Sequence, residues 1–343
     1  CESELNPPRL HSRPVPANSF ARADLMKTIL FRRDFRGPTG GHLKVWDYFC
    51  HVLASARYRP QIYLTPSSVR EAVNPWASAN CRTLENWNPA SAGALFLAGL
   101  DWEALPHCER RTPGRPVINL IQGMRHLDPQ DPRHAFLEYP AVRICVSRAI
   151  KRRLDACDQV RGPVIHVHAG IPFIDQAQVW AEGVAKKFDH DVFIVALKRR
   201  SVGKAVAEEL RRCGWRVDIL TSWVEREQFL SRLRAGKVVV TLPLSFEGLY
   251  LPALEAMMAG SLLVFPKVEA ATDYAEDGSN CHLCDHSVES IVQTVDRALG
   301  MSPAEANQMR QSAIETTKRF SLDRERREFL EVLDNLDAIW RTV

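Results

Sequence analysis

The sequence predicts an α/β protein of two doubly wound domains with a cleft between them. Three observations point there. Short, continuous apolar runs alternate with helix-length segments, the pattern of parallel strands covered on both faces. The series is too long for one six-stranded sheet. The pattern also breaks near "HVHAGIP", residues 166–172, where Gly170 and Pro172 interrupt it. With 343 residues, each half can bury its own core.

In chain order, residues 1–26 are polar and rich in proline and arginine, so they read as an arm with no assigned structure. "KTILF", "IYL", "ALFLA", "PVINLI", "VRICVS" and "PVIHVH" then read as buried strands of the first domain. "HLKVWDYFCHVLASA" and "SRAIKRRLDAC" are helices among them. In the second domain the strands are "DVFIVAL", "WRVDIL", "KVVVTL" and "SLLVF", with helices "VGKAVAEELRRCG" and "VEREQFLSRLRAG" between. From Pro303 the chain is helical and closes with "DRERREFLEVLDNLDAIWRTV".

Composition narrows the function classes. No apolar run approaches the ~20 residues needed to cross a bilayer, and residues 1–26 lack the apolar core of a secretory leader. The chain opens at Cys1 and not at a methionine, as a piece of a longer chain would. Nine scattered cysteines, mostly inside apolar runs, argue for reduced thiols and a cytoplasmic setting. A net charge of +4 is too small to imply nucleic acid. Local clusters at Arg32, Arg33 and Arg36, at Lys151–Arg153 and at Lys198–Arg200 read as solvated faces. They could also bind an anionic substrate or touch the inner face of an acidic membrane peripherally.

Ligands of doubly wound sheets gather where strand ends lead into helices, and three motifs fall at such points. In "RDFRGPTGGHLKVWDYF", Gly40 and Gly41 permit close backbone approach before a helix that opens at about His42. The spacing is neither a dinucleotide fingerprint nor a phosphate loop of the Walker type. In "VALKRRSVGKAVAEEL", Lys198 ends a strand and Lys204 is expected in the first turn of the next helix. A cation there opposes the helix dipole by about 0.3–1 kcal/mol, which invites a functional reason. In "SFEGLYLPALEAMMAG", Glu247 lies in a loop and Glu255 in the first turn of a helix that Pro252 starts and Gly260 ends. Together these describe a site for a diphosphate flanked by hydroxyl-rich groups.

The second half resembles the retaining glycosyltransferases of family 4, which have the GT-B fold. Their E-x7-E hallmark, "EGFGLPxLEAMAxG", is matched by "EGLYLPALEAMMAG" at nearly every fixed position. Lys198 and Lys204 have the separation of the family's G-[RK]-x5-K pair, with Leu197 in place of its glycine. "FPKVEAATDYAEDGSNCHL" is similar to the family's "GGxPExVxDGxxGxL" loop. There Ala270 and Ala271 replace two glycines, and Asp273 replaces the glutamate that touches the donor sugar. The likeness is good over roughly residues 160–300 and holds in the first domain only by order of elements.

The resemblance implies a domain division at 1–168, 169–322 and 323–343. The first is an acceptor-side Rossmann-like domain, the second a donor domain, and the third a helix that returns to the first. It implies a metal-independent transfer of a sugar from a nucleotide-diphosphate sugar to a glycan, glycolipid or small-molecule hydroxyl, with no further cofactor. Glu255 would take the ribose hydroxyls and Glu247 those of the donor sugar. The N–H groups of Gly248, Leu249 and Tyr250 would meet the sugar and distal phosphate. Lys198 and Lys204 would neutralise the leaving diphosphate, and Gly40 and Gly41 would close over it. His126, or else Gln122 or Arg125, would face the sugar. Two alternatives share the fold: a nucleotide-sugar 2-epimerase, which E-x7-E argues against, and a non-catalytic nucleotide-sugar binding protein. In "CHLCDH" (281–286), alternation of side chains along an extended segment argues against a zinc site. His166 and His168 share one strand face and read as packing residues.

Overall fold

The computed structural model describes residues 26–79, 81, 83–172 and 188–343, so the arm expected over 1–26 lies outside them except for Met26. The first half forms a sheet of β1 (Lys27–Arg33), β2 (Tyr58–Leu64), β3 (Thr83–Leu84), β4 (Ala94–Ala98), β5 (Val117–Ile121), β6 (Val142–Cys145) and β7 (Val164–His166). Their spatial order is 3-2-1-4-5-6-7. With them come α1 (Gly40–Leu53), the short α2 (Pro75–Ser78) and α3 (His107–Arg111), and α4 (Arg148–Asp155). The second sheet holds β8 (His190–Val195), β9 (Val217–Leu220), β10 (Gly236–Thr241), β11 (Leu262–Pro266) and β12 (His282–Cys284), in the order 12-11-10-8-9. Its helices are α5 (Arg200–Arg212), α6 (Arg226–Ala235), α7 (Leu251–Met258) and α8 (Val288–Leu299). The chain closes with α9 (Pro303–Thr317), α10 (Leu322–Asp334) and α11 (Leu336–Trp340).

Each apolar run of the sequence contains a strand, and the strand pairings within both sheets are parallel. β4, β5 and β11 are buried at every position, as strands covered on both faces must be. Two strands escaped the sequence pattern, β3 of 2 residues and β12 of 3, because so short a segment shows no periodicity. Ser287, Ser302 and Ser321 cap α8, α9 and α10 with their side chains, and Glu305 completes a capping box on α9.

α10 returns to the first domain and lands on α1. Phe329 meets the Tyr48 ring edge-on at 4.7 Å. Beside them the fully buried Glu325 carboxylate accepts from Lys44 Nζ at 3.1 Å and lies 3.1 Å from His51 Nε2. Lys44 also donates to the Gly170 carbonyl at 2.5 Å, tying in the segment that crosses between the domains. A Cβ at Gly170 would come within 2.6 Å of the Leu322 backbone, so only glycine lets the crossing segment and the start of α10 pass. His166 and His168 serve this junction too. Their rings lie 4.4 Å apart, and His168 Nδ1 is 3.0 Å from the Glu328 carboxylate on α10. They are not simply packing residues of one strand, since β7 ends at His166.

The strand orders locate the crevices. Order reverses between β1 and β4 in the first sheet and between β8 and β10 in the second, and ligands bind outside the carboxyl ends of strands at such reversals. The loop after β1 leads into Gly40 and Gly41 at the start of α1, the loop after β8 carries Lys198, and the loop after β10 carries Glu247. Among the described residues no helix is long and apolar enough to cross a membrane, and the eight cysteines are all unpaired.

Candidate functional site

The loop from β10 to α7 closes on the first domain through its backbone. Glu247 bridges Gly123 in antiparallel fashion, and Met124 N–H donates to the Phe246 carbonyl at 3.1 Å. The Arg125 guanidinium lies 4.1 Å over the Phe246 ring, a cation–π contact. A Cβ at Gly248 would lie 1.9 Å from the Gln122 carbonyl oxygen, so glycine is required there. Gln122 also reaches the glycine turn, because a Cβ at Gly41 would sit 3.0 Å from its Oε1. A Cβ at Gly40 would touch Leu251 at the start of α7. The helix α1 begins at Gly40, two residues before the sequence expectation, because Thr39 accepts the His42 N–H as its N-cap.

Charges meet inside this closure. Lys198 Nζ donates to both oxygens of Glu247, at 2.6 and 2.8 Å, and the Leu244 N–H donates to the same carboxylate at 3.2 Å. Glu255 is buried in the second turn of α7, not the first, since the helix starts at Leu251. Its carboxyl is raised by burial, against the opposing pull of Arg226 and, more weakly, Lys44. Arg226, the first residue of α6, donates to Glu255 Oε1. Sequence reasoning missed Arg226, because nothing local marks that α6 and α7 pack start to start. Leu249 and Tyr250 are buried at the neck of the loop.

Three expected residues sit elsewhere. Lys204 is exposed in the second turn of α5, because that helix begins at Arg200. The first-turn dipole argument therefore does not apply to it. His126 is buried in a 3-10 turn over Met124–Leu127, and its Nδ1 has no hydrogen-bond partner. Of the three candidates on that stretch, Gln122 faces the glycine turn and Arg125 the Phe246 ring. Asp273 accepts the Arg148 N–H at the start of α4, at 2.7 Å, with His166 Nε2 3.9 Å away. It thus joins the turn after β11 to the first domain. Arg153 strengthens that join with a forked bond to Glu269 at 3.0–3.2 Å.

The basic clusters are largely met from within the chain. Arg32 and Arg33 face Asp101, Arg36 binds Asp34, Lys151 binds Asp155, and Arg199 lies 2.8 Å from His286 Nδ1. In "CHLCDH" the side chains turn to separate partners. His282 faces Met301 and His286 the Lys267 carbonyl, while burial pushes the Cys281 and Cys284 thiols up to about 12. Among the described residues no three His, Cys, Asp or Glu side chains are grouped to hold a metal ion.

Four histidines whose pKa burial lowers, His42, His126, His166 and His282, give the fold an acid sensitivity. Burial first, then Arg33, pushes His42 down to about 4. Burial and the neighbouring His168 do the same to His166, also to about 4. Burial with Arg133 and Arg143 takes His126 to about 3. In the unfolded chain each takes up a proton near pH 6.5. The unfolded state therefore binds more protons between pH 6.5 and about 4, and stability falls as pH drops through that window. Urea midpoints measured from pH 7 to 4.5 should fall with a slope of up to four protons from the histidines, reduced toward the acid end by the buried carboxyls Asp47, Asp101 and Glu255, which burial raises and which protonate first in the folded state. His126→Asn should remove up to one proton from it, and an unchanged slope would place the titration elsewhere.

No protein-family model matches the sequence, and no curated protein does. Solved structures do resemble it. Anabaena HepE in complex with UDP-glucose matches with a TM-score of 0.68 at 15% identity, over 90% of this chain and 100% of that one. Sucrose-phosphate synthase from Thermosynechococcus elongatus matches with 0.67 at 15%, over 91% and 99%. A glycosyltransferase from Rickettsia africae matches with 0.62 at 12%, over 91% and 98%. At such identities the likeness is one of fold. The chain has the GT-B fold of glycosyltransferases, two doubly wound domains facing across a cleft with a C-terminal helix returning to the first.

Proposed function

We propose that this protein is a retaining glycosyltransferase that moves a sugar from a nucleotide-diphosphate sugar to a hydroxyl of a glycan, lipid or small molecule. One observation carries the reading. The loops after β5, β8 and β10 meet the start of α1, bringing Lys198 and Glu247 together beside Gly40 and Gly41, with Glu255 buried behind them on α7. That set matches the parts of a nucleotide sugar: cation for diphosphate, carboxylates for hydroxyls, open backbone for close approach. The solved structures of HepE hold UDP and UDP-glucose, which supports a donor of this class.

In this reading Glu255 takes the ribose diol and Glu247 the donor sugar. Lys198, with Lys204 of α5 as the second cation of the motif, stabilises the charge that grows on the leaving diphosphate. Lys198 exchanges its bond to Glu247 for the phosphate, which frees Glu247 for the sugar hydroxyls. The leaving diphosphate takes the acceptor's proton on the same face of the sugar, so the anomeric configuration is kept. No metal is needed, since the ammonium supplies the counter-charge. The acceptor lies on the first-domain side.

The test is slow hydrolysis of a panel of nucleotide sugars, followed by transfer. Activity should survive EDTA, and the proton NMR coupling of the new linkage should match the donor's. An enzyme silenced by EDTA and restored by manganese or magnesium would overturn metal independence, and an inverted linkage would overturn retention. No hydrolysis or binding across the panel would remove the donor-site reading itself. A second expectation concerns Glu255. A hydrogen bond to a charged group is worth about 1.5–3 kcal/mol, so Glu255→Gln should weaken free-nucleotide binding roughly ten- to a hundredfold. Glu247→Gln should spare the free nucleotide and weaken only the nucleotide sugar. Calorimetry giving equal losses for both ligands in both variants would end that division of roles.

A further inference from the structure

Among the described residues, Tyr250 is the only non-glycine with a positive φ, at 64° with ψ 73°. It stands where the similar family's motif has a glycine. Left-handed backbone crowds the Cβ of an L-residue, which glycine avoids, so a tyrosine here persists only because its surroundings hold it. Those surroundings are specific. Tyr250 is 6% exposed, and its carbonyl accepts from the Tyr274 hydroxyl at 3.4 Å. Above its ring, 5.6 Å from the centroid, lies Lys198 Nζ. The same ammonium binds both oxygens of Glu247. Lys198 is thus held between an aromatic face and a carboxylate, although half of its long side chain is in solvent.

We infer that Tyr250 is a positioning residue whose ring is the floor that holds the Lys198 ammonium at the mouth of the diphosphate site. The inference rests on the proposed donor site and adds a side-chain role to a residue so far given only a backbone one. A lysine has a flexible four-carbon stem and no fixed geometry of its own. A π face within about 6 Å attracts the ammonium without competing for its hydrogen bonds. Those bonds stay free to pass from Glu247 to a phosphate. An aliphatic side chain would fill the same space but supply no such attraction. The left-handed backbone at Tyr250 is what places the ring under Lys198.

Tyr250→Leu and Tyr250→Phe separate the ring from the backbone, because leucine and phenylalanine bear the same left-handed strain as tyrosine. The first readout needs no ligand. In the wild type and in Tyr250→Phe, the Lys198 ε-methylene protons should show an upfield ring-current shift by NMR, and Tyr250→Leu should lose it. The second is calorimetry with inorganic pyrophosphate. Tyr250→Leu should weaken binding about three- to fivefold, the size of a partly exposed cation–π contact, and Tyr250→Phe should restore it. In a Lys198→Met background, Tyr250→Leu should cause no further loss. An equal loss in both backgrounds, or no upfield shift in the wild type, would overturn the proposal and leave Tyr250 a packing residue. A wild type that binds neither pyrophosphate nor any nucleotide would sink the donor site, while the ring-current comparison would still decide the role of Tyr250.

Discussion

Lys198→Ala is expected to lower the turnover of sugar transfer by about 10²–10³-fold, the range seen when one preorganised donor to a developing anion is removed. The basis is position. Lys198 follows β8 at the strand-order reversal, and its ammonium already sits on Glu247 inside the cleft. The loss should appear in kcat at saturating donor, because in the proposed mechanism the ammonium acts as charge builds on the leaving group. Lys204→Ala should cost less, since that side chain is exposed one turn into α5. Initial rates with both variants, checked for fold by circular dichroism, give the comparison. If Lys204→Ala proved the more damaging, the counter-charge would belong to α5 and the Lys198–Glu247 pair would be structural.

Among the described glycines, Gly248→Ala should be the most damaging change to alanine. The added methyl would lie 1.9 Å from the Gln122 carbonyl oxygen and 2.5 Å from its carbon, both backbone atoms. Relief requires the loop after β10 to leave the first domain, breaking the Glu247–Gly123 bridge and the Met124–Phe246 hydrogen bond. Overpacking of this kind costs about 1–3 kcal/mol in stability. A displacement of about 1 Å at Glu247 costs transfer roughly a hundredfold. Gly114→Ala is the control, because a Cβ there meets nothing within 4 Å. Thermal melts and transfer rates read both effects. A Gly248→Ala variant with wild-type rate would mean that the working cleft does not close through this loop.

The sequence alone determined the parallel α/β architecture, because a strand buried on both faces must be a continuous apolar run and such runs are visible without coordinates. It also determined where Gly40, Gly41, Lys198, Glu247 and Glu255 fall relative to strand ends, since strand–loop–helix order is local. Helix starts were legible to within a few residues, and that margin mattered: it moved Glu255 and Lys204 from first turns to second. What the tertiary structure decided was pairing across long separations. Lys198 with Glu247, Arg226 with Glu255, Asp273 with the start of α4, and Glu325 with Lys44 all join segments whose approach is set by packing of sheets and helices. Burial was equally out of reach for His126, whose neighbours Arg133 and Arg143 surround it only once the turn after β5 folds against the turn before β6. A motif names the groups that chemistry can use; only the fold brings each to its partner, because hydrogen bonds and charge pairs act over a few ångströms of space and not along the chain.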